Sequence, residues 1–126
     1  MMETRQGLAM DRVFRQHLAR LCEDRNRRIN GRNLNVPNRW WPERVTHPDL
    51  RMKFSDAGAW DFIADCLRDM DGVQVKTIDQ LERPPIPGHY MLVTVGSGSR
   101  RIYIKIAYFD RSDTVLGVSF HYEDPR

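Results

Sequence analysis

The sequence predicts an α+β fold, with N-terminal helices packed on a small C-terminal antiparallel β-sheet. Three observations lead there. Apolar residues recur at helical spacing in two stretches up to Gly72, and beyond it the period shortens to two. Gly, Ser, Asp and Pro clusters punctuate those alternating runs, as hairpin turns do. The 126 residues match one domain, and helices followed by strands build one layer of each.

The first helix is expected over residues 8–25. Met10, Phe14, Leu18, Leu21 and Cys22 form its apolar stripe, with Arg12, Arg15, Arg20 and Arg25 largely off it. Gly31 is a plausible stop. Residues 25–41, RNRRINGRNLNVPNRWW, carry five Arg and five Asn and read as a loop or irregular arm. Trp40 and Trp41 suit a gap in a small core better than a stacking platform. A turn follows at THPDL. The second helix starts at Ser55, an N-cap with Asp56 in the first turn. Ala59, Ile63, Cys66, Leu67 and Met70 give its stripe, and Gly72 stands where a C-terminal cap belongs.

Four strand signals complete the chain. They are VQVKTI, then, after the rigid break RPPIPG, HYMLVTV, RRIYIKIAYF and VLGVSFHY. The chain therefore reads as one domain over residues 1–126, with 1–45 a basic helical and arm region and 46–126 a helix plus antiparallel sheet. A two-residue turn at Ser97-Gly98 would bury Met91 and Val93, whereas a five-residue loop would bury Tyr90 and Leu92.

Charge is unevenly spread. Residues 1–45 hold ten Arg against five acids; residues 46–126 hold ten cations against twelve acids. Guanidinium forks suit phosphate or carboxylate partners, although a solvated helix face has the same composition. Cys22 and Cys66 sit in apolar patterns and read as small buried hydrophobes, which suits a reducing compartment. No apolar run reaches a membrane span and no signal-peptide core opens the chain, so a soluble, cytoplasmic protein is expected.

The final hairpin concentrates the chemistry. A five-residue loop, DRSDT, pairs Phe109 with Val115 and sets Ile104 against Phe120 and Ile106 against Val118 in the core. Leu116, Val118 and Phe120 then share the core face. The other face gathers Arg101, Tyr103, Lys105, Ser119 and His121, with Tyr103 opposite His121, Lys105 opposite Ser119 and Arg101 opposite Glu123. Opposed side chains start about 5 Å apart at Cβ, close enough to share one phosphate.

RNA cleavage without a metal needs a base for the ribose 2′-hydroxyl, an acid for the leaving 5′-oxygen, and cations for the charge at phosphorus. His121 can act as acid or base near neutral pH. Tyr103 can donate to a phosphate oxygen or take part in proton transfer. Lys105 and Arg101 can stabilise the phosphate. Arg25, Arg27, Arg28 and Arg32 are candidates for added RNA affinity through counterion release. The same Arg/Tyr/Lys alternation also serves ordinary solvated sheet faces and protects edges. His17, His47 and His89 fall in separate segments and leave no zinc spacing. No P-loop, Gly-x-Ser-x-Gly or dinucleotide glycine pattern occurs. No metal and no cofactor is expected.

Residues 100–124, RRIYIKIAYFDRSDTVLGVSFHYED, resemble the end of MqsR-type toxins, part of the wider RelE-like group of small bacterial RNases. Those toxins close with a Val-Tyr-Leu-Lys-Ile strand, a short turn and a strand ending Ser-Phe-Lys. Here Ile102-Tyr103-Ile104-Lys105-Ile106 and Ser119-Phe120-His121 correspond. The resemblance implies a helix-plus-antiparallel-sheet fold and a toxin of a toxin–antitoxin pair. It also implies cleavage of messenger RNA, free or ribosome-bound, and inhibition by a cognate antitoxin protein. The family's strand Tyr falls on Tyr103. Its terminal catalytic Lys falls on His121, a departure that still allows proton transfer.

A non-catalytic RNA- or protein-binding module, such as a phage-encoded inhibitor or regulator, is the alternative expectation. Catalysis requires Tyr103 and His121 to converge in a concave site beside Arg101 and Lys105. A binding module requires a broad basic surface continuous with Arg25–Arg32.

Overall fold

A computed structural model of the chain describes residues 11–34, 37–78, 88–97 and 100–124. The expected helix start at residues 8–10, Met10, residues 83–87 of the Pro-rich break, and Gly98 lie outside them. The described chain forms two α-helices and a six-stranded mixed sheet, an α+β architecture. Helix α1 is Arg12–Cys22 and α2 is Asp56–Arg68. The strands are β1 Arg28–Asn30, β2 Arg39–Trp40, β3 Val75–Ile78, β4 His89–Ser97, β5 Arg100–Phe109 and β6 Thr114–Tyr122.

The sheet order is β1-β6-β5-β4-β3, with β2 also on β6. β3 to β6 form the expected antiparallel meander. Ser97 pairs with Arg100, which differs from the Gly96–Ser99 pairing that a turn at Ser97-Gly98 would give, but the shift is an even number of residues, and Met91 and Val93 are buried on the expected face.

Two expectations are corrected. The sheet is not purely antiparallel, because β1 and β2 run parallel to β6 along its free edge. The helices are not both N-terminal to the strands, because α2 follows β1 and β2. The stretch expected as an arm supplies these edge strands, interrupted by a 3₁₀ turn at Gly31–Leu34. Each is so short that it leaves no period-two pattern; pairing uses backbone groups alone. Gly31 stops no helix. It lies where a Cβ would come within 2.8 Å of the Gly117 carbonyl oxygen.

The helices cover one sheet face. Leu18, Ala19 and Cys22 of α1 and Ala59, Ile63 and Leu67 of α2 pack on Val75, Met91, Val93, Ile102, Ile104, Ile106, Val115 and Phe120. Trp40 and Trp60 join that core, centroids 4.9 Å apart. Asp11 caps α1 by accepting from Phe14 N at 3.0 Å, and Ser55 Oγ caps α2 by accepting from Gly58 N at 2.9 Å.

The C-terminus of α2 is closed differently from the expectation. The helix ends at Arg68, and Gly72 lies beyond it, with its N–H donating to Asp69 Oδ1. Arg15, expected off the core stripe, is 2 % exposed. Its Nε donates to Leu67 O at 2.7 Å, and one Nη donates to Cys66 O at 2.7 Å and Asp69 O at 3.2 Å. A guanidinium thus satisfies terminal carbonyls and meets the negative end of the helix dipole. Nearby, Arg68 grips Glu23 of the α1 C-cap bidentately at 2.6 and 2.7 Å.

The turn after β5 has four residues, 110–113, not five, so Phe109 pairs with Thr114. A bulge then shifts the ladder between Lys105 and Ile106, and Ile106 faces Gly117 instead of Val118. Below the bulge the faces of β6 are reversed from expectation. Val115 enters the main core, while Leu116 and Val118 join Tyr90, Ala107 and Ile29 in a second cluster. Above it the expected pairs hold: Ile104↔Phe120, Tyr103↔His121 and Lys105↔Ser119.

Arg15→Met keeps the buried stem and removes the three donated bonds. It should lower unfolding free energy by roughly 3 kcal/mol, read from a urea denaturation series. An unchanged midpoint would mean that the α2 terminus is satisfied without the guanidinium.

The α1-to-hairpin contact should shape stability against pH. Asp113 Oδ1 receives the Tyr108 hydroxyl at 2.8 Å and meets His17 Nε2 at 2.6 Å. Its hydrogen bonds to His17 and then Tyr108 hold this carboxyl below the usual range. Its contribution is therefore present above the ordinary carboxylate range and lost as pH falls through the depressed value. Burial first, then the bond to Asp113, pushes Tyr108 up from 10.0 to about 12. That contribution is full below 10.0 and fades towards about 12. Asp113→Asn should flatten the acid limb and Tyr108→Phe the alkaline limb of melting temperature against pH.

Candidate functional site

On the sheet face turned away from the helices, an open cleft of about 350 Å³ is lined by Arg39, Tyr103, Lys105, Ser119, His121, Glu123 and Asp124. Strand alternation puts them there. Odd residues of β5 oppose the helix-facing Ile102, Ile104 and Ile106, and the bulge keeps Ser119 and His121 in step with Lys105 and Tyr103.

Tyr103 and His121 stack across the ladder, centroids 5.2 Å apart and planes inclined 26°. Trp41 lies on the far side of the imidazole, at 6.0 Å. Between them His121 is 7 % exposed although it points away from the main core. Its Nδ1 lies 2.6 Å from the Tyr122 carbonyl oxygen. A carbonyl only accepts, so Nδ1 carries the proton and Nε2 is the basic nitrogen of the neutral ring.

Burial raises the Tyr103 pKa, Arg39 opposes that, and Asp124 and Glu123 add to it. The phenol is thus a hydrogen-bond donor and not a phenolate at neutral pH. Burial also lowers the Lys105 pKa, which makes its ammonium a stronger acid than an exposed lysine. Among the described residues Lys105 has no ion-pair partner, whereas Arg39 grips Asp124 at 2.8 and 3.0 Å. Trp41 also holds cations: the guanidinium carbons of Arg44 and Arg39 stand 4.4 and 5.0 Å from its ring centroid.

Of the four candidate catalytic residues, Tyr103, Lys105 and His121 share this cleft. Arg101 lines an adjoining one and lies 4.0 Å from Glu123. The four candidate RNA-binding arginines line neither. Arg25 is exposed. Arg27 donates to Ser112 O, and Arg32 reaches Glu43 at 3.3 Å. Arg28 donates to Cys22 O and lies over Trp60 on the helix side of the sheet. Arg39, Trp41 and Asp124 were not foreseen at the site. The signal for the first two was the alternation Arg39-Trp40-Trp41 around a buried Trp40. Among the described residues no three His, Cys, Asp or Glu side chains gather as a metal site. Cys22 and Cys66 are buried free thiols, both pushed up by burial, Cys66 to about 12. No described helix is long and apolar enough to cross a membrane.

Fold and cleft together define a two-layer α+β protein whose sheet face turned away from the helices carries an aromatic and cationic cleft. No protein-family model, curated protein or solved structure matches the chain.

The Tyr122 contact predicts one tautomer. In ¹⁵N-resolved spectra of neutral His121, Nδ1 should have the shift of a protonated ring nitrogen and Nε2 that of an unprotonated one. The reverse assignment would remove Nε2 as the available base.

Proposed function

We propose that the chain is a metal-independent endoribonuclease of RelE/MqsR-like kind, the toxin of a toxin–antitoxin pair, acting on messenger RNA in the cytoplasm. The observation that carries this reading is the convergence of Tyr103, Lys105 and the carbonyl-anchored His121 in one concave cleft. His121 Nε2 takes the proton of a ribose 2′-hydroxyl. The 2′-oxygen attacks the adjacent phosphorus, and the bond from phosphorus to the 5′-oxygen breaks. The Lys105 ammonium gives that oxygen its proton. Products are a 2′,3′-cyclic phosphate and a 5′-hydroxyl, and solvent exchange resets both side chains. Tyr103 donates to a non-bridging oxygen, and Arg101 adds positive charge from the adjoining cleft.

A second reading is a non-catalytic RNA- or protein-binding module. Glu123 and Asp124 in the cleft wall favour it, because mixed charge suits a protein partner as well as a phosphate. Under the nuclease reading such a protein is the cognate antitoxin.

His121→Gln retains a polar side chain of similar length and should reduce RNA cleavage by about 10²–10⁴-fold. Activity should survive EDTA, since the proposed route uses no metal. Cleavage should fall on the alkaline side as Lys105 loses its proton. The falling limb should lie below the ordinary lysine range, because burial lowers Lys105. Purified protein that leaves RNA intact, alone and with ribosomes, would overturn the nuclease and favour the binding module.

A further inference from the structure

The adjoining cleft, about 140 Å³, is lined by Gln74, Lys76, Leu92, Thr94 and Arg101. Its relation to the first follows from the ladder. Lys76 pairs with Leu92, Leu92 with Lys105, Lys105 with Ser119 and Ser119 with Arg39. That row crosses five strands, roughly 19 Å at about 4.8 Å per gap. One step along the strands, a second row holds Thr94, Tyr103 and His121, and Trp41 stands beside His121 at its end. Cations mark the first row at Lys76, Lys105 and Arg39. Aromatic rings mark the second on three successive positions.

Tyr103 has a neighbour of very different size on each side. His121 covers one side of its ring. Towards β4 the paired residue is Thr94, a short side chain, and the small cleft opens there. The cleft combines an apolar floor at Leu92, an exposed amide at Gln74 and cations at Lys76 and Arg101. This is the chemistry that holds a planar base by its face, reads its edge and neutralises its phosphate.

We propose that the β3–β5 cleft is a nucleotide subsite. A single-stranded RNA crosses the strands, with the base next to the cleaved bond stacked on Tyr103 above Thr94. Gln74 bonds that base's edge and Lys76 its outer phosphate. Duplex RNA is refused because its bases are already stacked and paired. This assignment rests on the nuclease reading for its substrate, but its binding can be measured apart from cleavage.

The probe is a fluorescent 2′-O-methyl RNA oligonucleotide, which has no free 2′-hydroxyl and cannot be cut. It is tested as single strands of different base composition and annealed to its complement. Gln74 and Lys76 are exposed, so Gln74→Ala and Lys76→Ala should fold, as urea midpoints would check. Lys76→Ala should weaken single-strand binding and reduce the magnitude of the slope of log affinity against log salt by about 0.7. Gln74→Ala should level affinity among base compositions. The duplex should bind at least about tenfold more weakly than the single strand. If both variants bind every single strand as the unaltered protein does, or the duplex binds equally, the subsite is wrong, while the nuclease stands if natural RNA is still cut. If natural RNA is never cut but binding depends on Lys76 and Gln74, the nuclease fails and the subsite stands.

Discussion

Trp40 lying on Gly117 is the contact on which the cleft face of the sheet depends. A Cβ at Gly117 would come within 2.6 Å of the indole ring, so glycine alone lets β2 dock this closely on β6. The indole then reaches across the layer. Its Nε1 donates to Asp56 Oδ1 at 2.8 Å, and the Asn30 amide donates to that same oxygen at 2.8 Å. Trp60 Nε1 donates in turn to Asn30 Oδ1 at 2.9 Å. Four side chains from β1, β2 and α2 thereby form one satisfied network over the core, which fixes the parallel edge against the first turn of α2. With Trp40 turned inward, alternation turns Arg39 and Trp41 outward to the cleft. The bulge beside Gly117 has a matching effect, because it returns Ser119 and His121 to the face of Lys105 and Tyr103.

Much of this was legible, and the failures have physical causes. Ser55, the stripe of α2 and the meander after Gly72 carry strong local signals, and they appear in the fold. Tyr103 opposite His121 was foreseen through an incorrect route. The turn is one residue shorter than expected, and the bulge adds that residue back, so the two departures cancel above Val118 and reverse the faces below it. Asp113 sits at φ 53° in that turn, a conformation that its residue type permits but does not announce. The parallel edge was hidden because two- and three-residue strands have no periodicity to read. Arg15 was hidden among ten N-terminal arginines, although Arg15, Leu18 and Cys22 stand at i, i+3 and i+7 on one helical face.

Arg15 and the cleft cations show one charge type in two roles. At α2 a guanidinium meets carbonyls only, and its rigid fork closes a helix end that glycine or water closes in other folds. Other arginines are held by acids or rings. Arg68 is held by Glu23, Arg32 by Glu43, and Arg44 by the Trp41 face. The arginine excess of residues 1–45 is therefore partly structural, and net charge overstates what that region offers to a polyanion.

The same comparison separates the cations of the cleft. Arg39 is already matched to the two Asp124 oxygens, and Arg101 lies at the limit of an ion pair with Glu123. A phosphate approaching either arginine must compete with a tethered carboxylate of like charge. Among the described residues no carboxylate forms an ion pair with Lys105, and partial burial has removed some of the water that would screen an incoming charge. On the nuclease reading proposed above, the phosphate binds there, between the Tyr103 hydroxyl and Ser119, while Glu123 and Asp124 hold the arginines against an anion that approaches from their side.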